Sequence, residues 1–247
     1  MLEHLRAPFK RLIAPIARLL AGLGVTADMV TVVGALGTTV VAIVTGVTGW
    51  LLPGAIVLTV LVVFDSLDGS VAAITSGGTP FGAFLDSTLD RIADWAVLLA
   101  VVLFFYLHHD WWYDAGAHAG PDYIGIIGIL AALYAIMTSF VTSYTRARAE
   151  SVGYEAKNGI ATRSDRLVVI LVGMALAGAL HNGIVLMVAM LILAVLGTIT
   201  VFQRVMTVHG QMARDGATEA TARETGTDPV RPAPVTRRVR TTDARRR

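Results

Sequence analysis

The chain has 247 residues, 55% apolar and 15% charged, with a formal net charge of +2 and a mean hydropathy of +0.66. Such a composition leaves too few polar residues to cover a soluble globule of this size, so the protein belongs in a bilayer. The lack of cysteine excludes disulfides, thiolate catalysis and Cys-ligated metals. The long apolar runs do not alternate as barrel strands do, which predicts an all-α integral membrane fold.

Residues 1–23 place Leu2, Leu5, Phe9, Leu12, Ile13, Ile16 and Leu20 at helical spacing, with Arg6, Lys10, Arg11 and Arg18 among them. This pattern predicts an N-terminal amphipathic helix lying in the membrane interface. Charge and two prolines, Pro8 and Pro15, interrupt the apolar run that a cleaved signal peptide needs. Gly24, Thr26 and Asp28 then supply a break and a helix start. Six transmembrane helices are expected from there, at about 29–49, 52–75, 83–107, 122–146, 166–181 and 184–205.

Basic residues gather in the first 23 positions, around 146–166 and in the tail, so the positive-inside rule puts all three on the cytoplasmic face of the plasma membrane. An even number of spans agrees, because it returns both termini to one side. The 108–120 loop, HHDWWYDAGAHAG, then lies outside, with its Trp and Tyr at headgroup level and its histidines implying no ligand geometry. From residue 210 the chain turns Thr-, Arg-, Ala- and Pro-rich and ends in RRVRTTDARRR. A disordered basic tail over 210–247 is expected, suited to anionic lipid headgroups, with no nucleic-acid partner. The domain plan is therefore a juxtamembrane helix, 1–23, a six-helix membrane domain, 24–209, and the tail.

The chemistry is concentrated in residues 64–95, FDSLDGSVAAITSGGTPFGAFLDSTLDRIADW. Asp65 and Asp68 stand at i, i+3 near the end of the second span, and Asp86 and Asp90 at i, i+4 near the start of the third, so each pair projects from one helix face. The connecting loop contains Gly77, Gly78 and Pro80 and is short, which predicts antiparallel neighbours whose acidic faces converge. Four carboxylates at membrane depth need compensating cations. All-oxygen ligands favour Mg²⁺, Mn²⁺ or Ca²⁺, and a Mg²⁺ site usually shares its coordination with substrate phosphates. A cation-coupled transporter is the competing reading of the same acids. Gly69, Ala72 and Gly82 lie on or beside these faces, where small residues admit a neighbouring backbone or a bulky ligand.

These residues resemble the signature of the CDP-alcohol phosphotransferases, six-span membrane enzymes of phospholipid synthesis. The signature reads D, two residues, DG, two residues, AR, eight residues, G, three residues, D, three residues, D. Asp65, Asp68, Gly69, Ala72, Gly82, Asp86 and Asp90 fall on it with every spacing kept. The similarity runs from ARLLAGLGVTADMVT to the sixth span, and not over the tail. It implies that Asp65, Asp68, Asp86 and Asp90 hold metal, expected as two Mg²⁺ or Mn²⁺ ions, and that Asp90 is also the general base. It further implies that CDP-diacylglycerol is gripped beside Asp65, Asp68, Gly69, Ala72, Gly82 and Asp86, and that the enzyme is a homodimer. Two departures stand out. Ala73 occupies the place of the family arginine, which suggests a catalytically silent relative as an alternative, and Ala27 stands where relatives commonly carry proline.

The basic stretch over 143–172 sets the expected acceptor. Arg146 and Arg148 end the fourth span, Arg163 and Arg166 begin the fifth and Arg204 ends the sixth, so three helix ends can aim guanidinium groups at one phosphate. The segment is similar to that of actinobacterial phosphatidylinositol phosphate synthases, which implies an inositol phosphate acceptor bound at Arg146, Arg166 and Arg204. Arg146 replaces a lysine of those relatives, and Thr162 replaces the glutamate before Arg163. Phosphatidylglycerophosphate synthases share the aspartate signature and also bind an acceptor phosphate, so glycerol phosphate is the alternative.

Overall fold

A computed structural model of the chain describes residues 15, 18, 19, 22–75, 79–112 and 121–225, with side chains described outside 65–75 and up to residue 217. The expected interfacial helix over 1–23 lies almost entirely outside the described residues, as does the tail beyond Thr225. The described part is helical: α1 (Ala27–Thr48), α2 (Leu51–Thr75), α3 (Pro80–Leu107), a single 3-10 turn (His109–Trp111), α4 (Tyr123–Ser151), α5 (Arg163–Leu180) and α6 (Gly183–Thr225). The expected spans match these helices to within a few residues at most ends.

Local sequence explains the boundaries. Thr26 caps α1, its hydroxyl accepting from Met29 N at 3.2 Å, and Gly49 closes the helix in the left-handed conformation. Thr79 accepts from Gly82 N at 2.9 Å and Pro80 takes the first turn of α3, where a missing N–H costs nothing. The carboxylate of Asp165 accepts from both the backbone N–H and the hydroxyl of Thr162, at 2.9 and 2.6 Å, and this pair fixes the start of α5.

Among the described residues three helices are long and apolar enough to cross a membrane: α1, α4 and the Gly183–Ala217 part of α6. The other three are shorter in their apolar parts or carry charge near one end: Asp65 and Asp68 on α2, Asp86, Asp90, Arg91 and Asp94 on α3, Arg163, Asp165 and Arg166 on α5. These are the helices that hold the candidate chemistry.

The helices pack as a closed ring in the order α1, α3, α4, α6, α5, α2 and back to α1. Phe104, Phe105, Leu58, Met174, Leu186 and Met190 fill its interior. Lipid tails give apolar helices little reason to associate, so close van der Waals approach must hold the ring together. Glycines stand at points of closest approach around it: Gly46 on Ala100, Gly128 on Phe105, Gly197 on Thr138, Gly173 on Ala189, Gly178 on Leu52 and Gly54 on Thr45. A Cβ at Gly46 would lie 2.5 Å from the carbonyl oxygen of Ala100, so α1 and α3 meet backbone to backbone. On the end away from the acids, His108 contacts Val47 O at 3.0 Å, and Trp111 stacks on His181 with centroids 3.8 Å apart.

Two expectations need correction. First, α2 and α3 do not pack chiefly on each other; among the described residues both pack most extensively on α1, which inserts between them. The short loop dictates antiparallel order but not contact, and small residues on α1 (Ala35, Thr38, Ala42, Gly46) make it the better neighbour. Second, regular structure does not stop at residue 210: α6 continues to Thr225. Its last turns are rich in alanine, glutamate and arginine, all strong helix formers. At 1.5 Å per residue, 43 residues span roughly 65 Å, about twice the hydrocarbon thickness, so α6 projects well beyond a bilayer.

Candidate active site

α1, α2, α3 and α5 enclose a crevice lined by Thr31 and Thr38, Val62, Asp90 and Asp94, and Arg163. The starts of α1 and α3 meet beside it: a Cβ on Gly82 would lie 2.7 Å from Asp28 Oδ1, so the signature glycine is what lets these helix ends approach. Asp86 and Asp90 occupy one face of α3 and are both half-buried. Asp65, Asp68, Gly69 and Ala72 lie on the last turns of α2, where the backbone is described and the side chains are not. Among the described residues no three His, Cys, Asp or Glu side chains gather closely enough to hold a metal by themselves. The described half of the acidic site is the Asp86 and Asp90 pair, whose hard oxygen donors fit Mg²⁺ or Mn²⁺.

Cations from the far side of the ring reach this face. Arg163 Nη2 lies 2.9 Å from Asp90 Oδ1, and its Nε donates to Asp94 Oδ1 at 3.1 Å. Arg166, only 5% exposed, reaches the other oxygen of Asp94 at 3.4 Å and donates to Ala161 O at 3.3 Å. Arg204 is equally buried; its Nε donates to Asn158 O at 2.9 Å and its Nη1 to Thr142 O at 2.6 Å. It lies near enough to Arg146, Arg166 and Arg91 to feel their charge. Arg146 is exposed and pairs with Glu150 at 3.1 Å. Arg148, two residues on, is exposed and donates to Ser151 Oγ on its own helix at 3.3 Å. Residues at i and i+2 leave a helix on different sides, so Arg146 and Arg148 do not face one site together.

The segment 152–162 that delivers Arg163 is strapped to α6. Gln203 Oε1 accepts from Ile160 N, Thr200 Oγ1 accepts from Ala161 N, Asn158 donates to Thr207, and Gln211 exchanges hydrogen bonds with the backbone of Glu155. Gly159, at φ +137°, lies against Thr200 in a conformation that other residues avoid.

One participant escaped sequence reasoning. Asp94 continues the 86, 90 spacing by one more turn and is 8% exposed, yet it lies outside the signature. Arg91 sits beside Asp90 at 3.6 Å, donates to Ser87 O at 2.8 Å, and adds another cation to the cluster. The four-residue spacing was the available signal for Asp94. Nothing local marks Arg163 and Arg166, 69 and 72 residues away, as its partners.

Residues 24–200 match the family model described as CDP-alcohol phosphatidyltransferase. The chain belongs to the CDP-alcohol phosphatidyltransferase family. It is 38% identical over 216 residues to a phosphatidylinositol phosphate synthase of Cutibacterium acnes, covering 85% of this chain and 98% of that one. The same enzyme of Streptomyces avermitilis is 37% identical over 227 residues, 88% of this chain and 86% of the relative. Among solved structures, the Mycobacterium tuberculosis phosphatidylinositol phosphate synthase with CDP-DAG bound superposes with a TM-score of 0.70 at 36% identity, covering 80% of this chain and 94% of that one. The same synthase in complex with manganese and citrate gives 0.69 at 35% identity, covering 79% and 88%. This family is one of transferases.

Proposed function

We propose that this chain transfers the phosphatidyl group of CDP-diacylglycerol to inositol phosphate, releasing CMP and forming phosphatidylinositol phosphate. One juxtaposition carries the reading: Arg163 touches Asp90 at 2.9 Å while sharing Asp94 with Arg166. A phosphate held by these cations leaves a hydroxyl of the same small molecule within reach of Asp90. That geometry suits a compact phosphorylated polyol and gives a neutral alcohol no use for the arginines. The names of the curated relatives, and the CDP-DAG and manganese of the solved ones, point the same way.

Asp65, Asp68, Asp86 and Asp90 would hold two divalent ions, whose chemistry is to neutralise the diphosphate and polarise the phosphorus under attack. The residues do the rest. Gly69, Ala72 and Gly82 leave room for the nucleotide to lie against the helices. Asp90 accepts the proton of the attacking hydroxyl as the new P–O bond forms and the bond to CMP breaks. Arg166, Arg204, Arg146 and Arg163 orient the acceptor phosphate. The membrane domain crosses the plasma membrane six times as a homodimer, with both termini in the cytoplasm and the interfacial helix and basic tail against the lipid surface.

The test is an acceptor panel on purified protein with CDP-diacylglycerol and Mg²⁺. CMP release that requires inositol phosphate, and is lost in Asp90→Asn, supports the reading. Preference for glycerol phosphate would reassign the acceptor. Silence with every acceptor would identify an inactive relative, with Ala73 as its mark.

A further inference from the structure

We propose that Asp94 is a positioning residue for acceptor recognition: its buried carboxylate fixes the guanidinium groups of Arg163 and Arg166 at a set distance from Asp90. The inference rests on the functional reading above and names a residue outside the family signature.

Asp94 lies one turn beyond Asp90 on the same face of α3, and its side chain is 11% exposed. One carboxylate oxygen takes Arg163 Nε at 3.1 Å and the other takes Arg166 at 3.4 Å, so each oxygen serves a different arginine. Those arginines are i, i+3 at the start of α5 and feel each other's charge, with Arg91 also in range. Like charges so placed repel and, left alone, turn outward to water. A carboxylate between them offsets that repulsion and fixes both planes, and bidentate recognition of phosphate depends on the orientation of those planes. Because Asp90 and Asp94 share a rigid helix, the offset between the base and the carboxylate that anchors both cations is set by four residues of helix, about 6 Å of rise. Arg163 completes the linkage by contacting both acids.

Asp94→Asn keeps the shape and removes the charge. Charge-assisted hydrogen bonds are worth roughly twice neutral ones, so the acceptor KM should rise about tenfold or more while the KM for CDP-diacylglycerol stays within about twofold. The heat stabilisation that inositol phosphate gives the purified protein should need correspondingly more ligand, a readout independent of turnover. Asp94→Glu keeps the charge and displaces it by one methylene; it should show the same selective rise at smaller size. Equal rises in both KM values, or none, would overturn the assignment, and if Asp94→Asn does not fold, Asp94→Glu decides on the same criterion. Wild-type protein that does not use inositol phosphate would instead sink the functional reading, and this inference with it.

Discussion

Replacing Arg204 by lysine keeps the positive charge and removes the fork, which separates two roles that a phosphate-binding arginine and a structural arginine would otherwise share. Arg204 satisfies two carbonyls on different elements, the part-buried Asn158 O in the strap and the buried Thr142 O on α4. A lysine ammonium carries its donors on one atom and reaches one of them. The orphaned acceptor then costs about 1–3 kcal/mol. For a chain of this size each kcal/mol moves the melting temperature by roughly 2–4 °C, so Arg204→Lys should melt about 2–12 °C below wild type in detergent. The loosened strap carries Arg163 and Arg166, so the acceptor KM should rise in the same variant. Fluorescence-detected melting and an inositol phosphate titration measure both. A variant that melts within about 1 °C of wild type would show that Arg204 acts through charge alone and that the two carbonyl contacts contribute nothing.

Other substitutions separate the arginines and test the ring. Arg166→Ala should raise the acceptor KM far more than that of the lipid donor, whereas Arg148→Ala, on the opposite side of α4 and bound to Ser151, should leave both within about twofold; comparable effects would return Arg148 to the pocket. Gly178→Val places new carbons where a Cβ already lies 2.9 Å from Leu52 Cβ and 3.0 Å from its Cα, so overpacking should cost about 1–3 kcal/mol or more and lower the melting temperature. An unchanged melt would mean that α2 and α5 are not closely packed at this point.

The helices were legible in the sequence because a membrane span announces itself by length and hydropathy, and the signature because its spacings are local to two helices. Packing was less legible. The 76–79 connection says that α2 and α3 run antiparallel, but the choice of α1 as their shared neighbour depends on the fit of Gly46 against Ala100 and of Gly54 against Thr45, which no periodicity encodes. The arginines were recognisable as a group through their positions at helix ends. Their division of labour was not, since Arg204 spends its donors on carbonyls 46 and 62 residues away and Arg166 on a carboxylate in another helix. Arg146 and Arg148 stand about 200° apart around α4, a separation their shared basic run does not display. The helix beyond residue 210 was hidden by composition: basic and proline-rich at its far end, the segment begins with strong helix formers that extend α6.

Anomalous scattering from Mn²⁺ in crystals grown with CDP-diacylglycerol tests the central claim most directly. The account predicts manganese between α2 and α3, coordinated by Asp86 and Asp90 together with Asp65 and Asp68, and bridged to the diphosphate. Manganese bound elsewhere, or held by the α3 pair with the α2 carboxylates turned away, would contradict it.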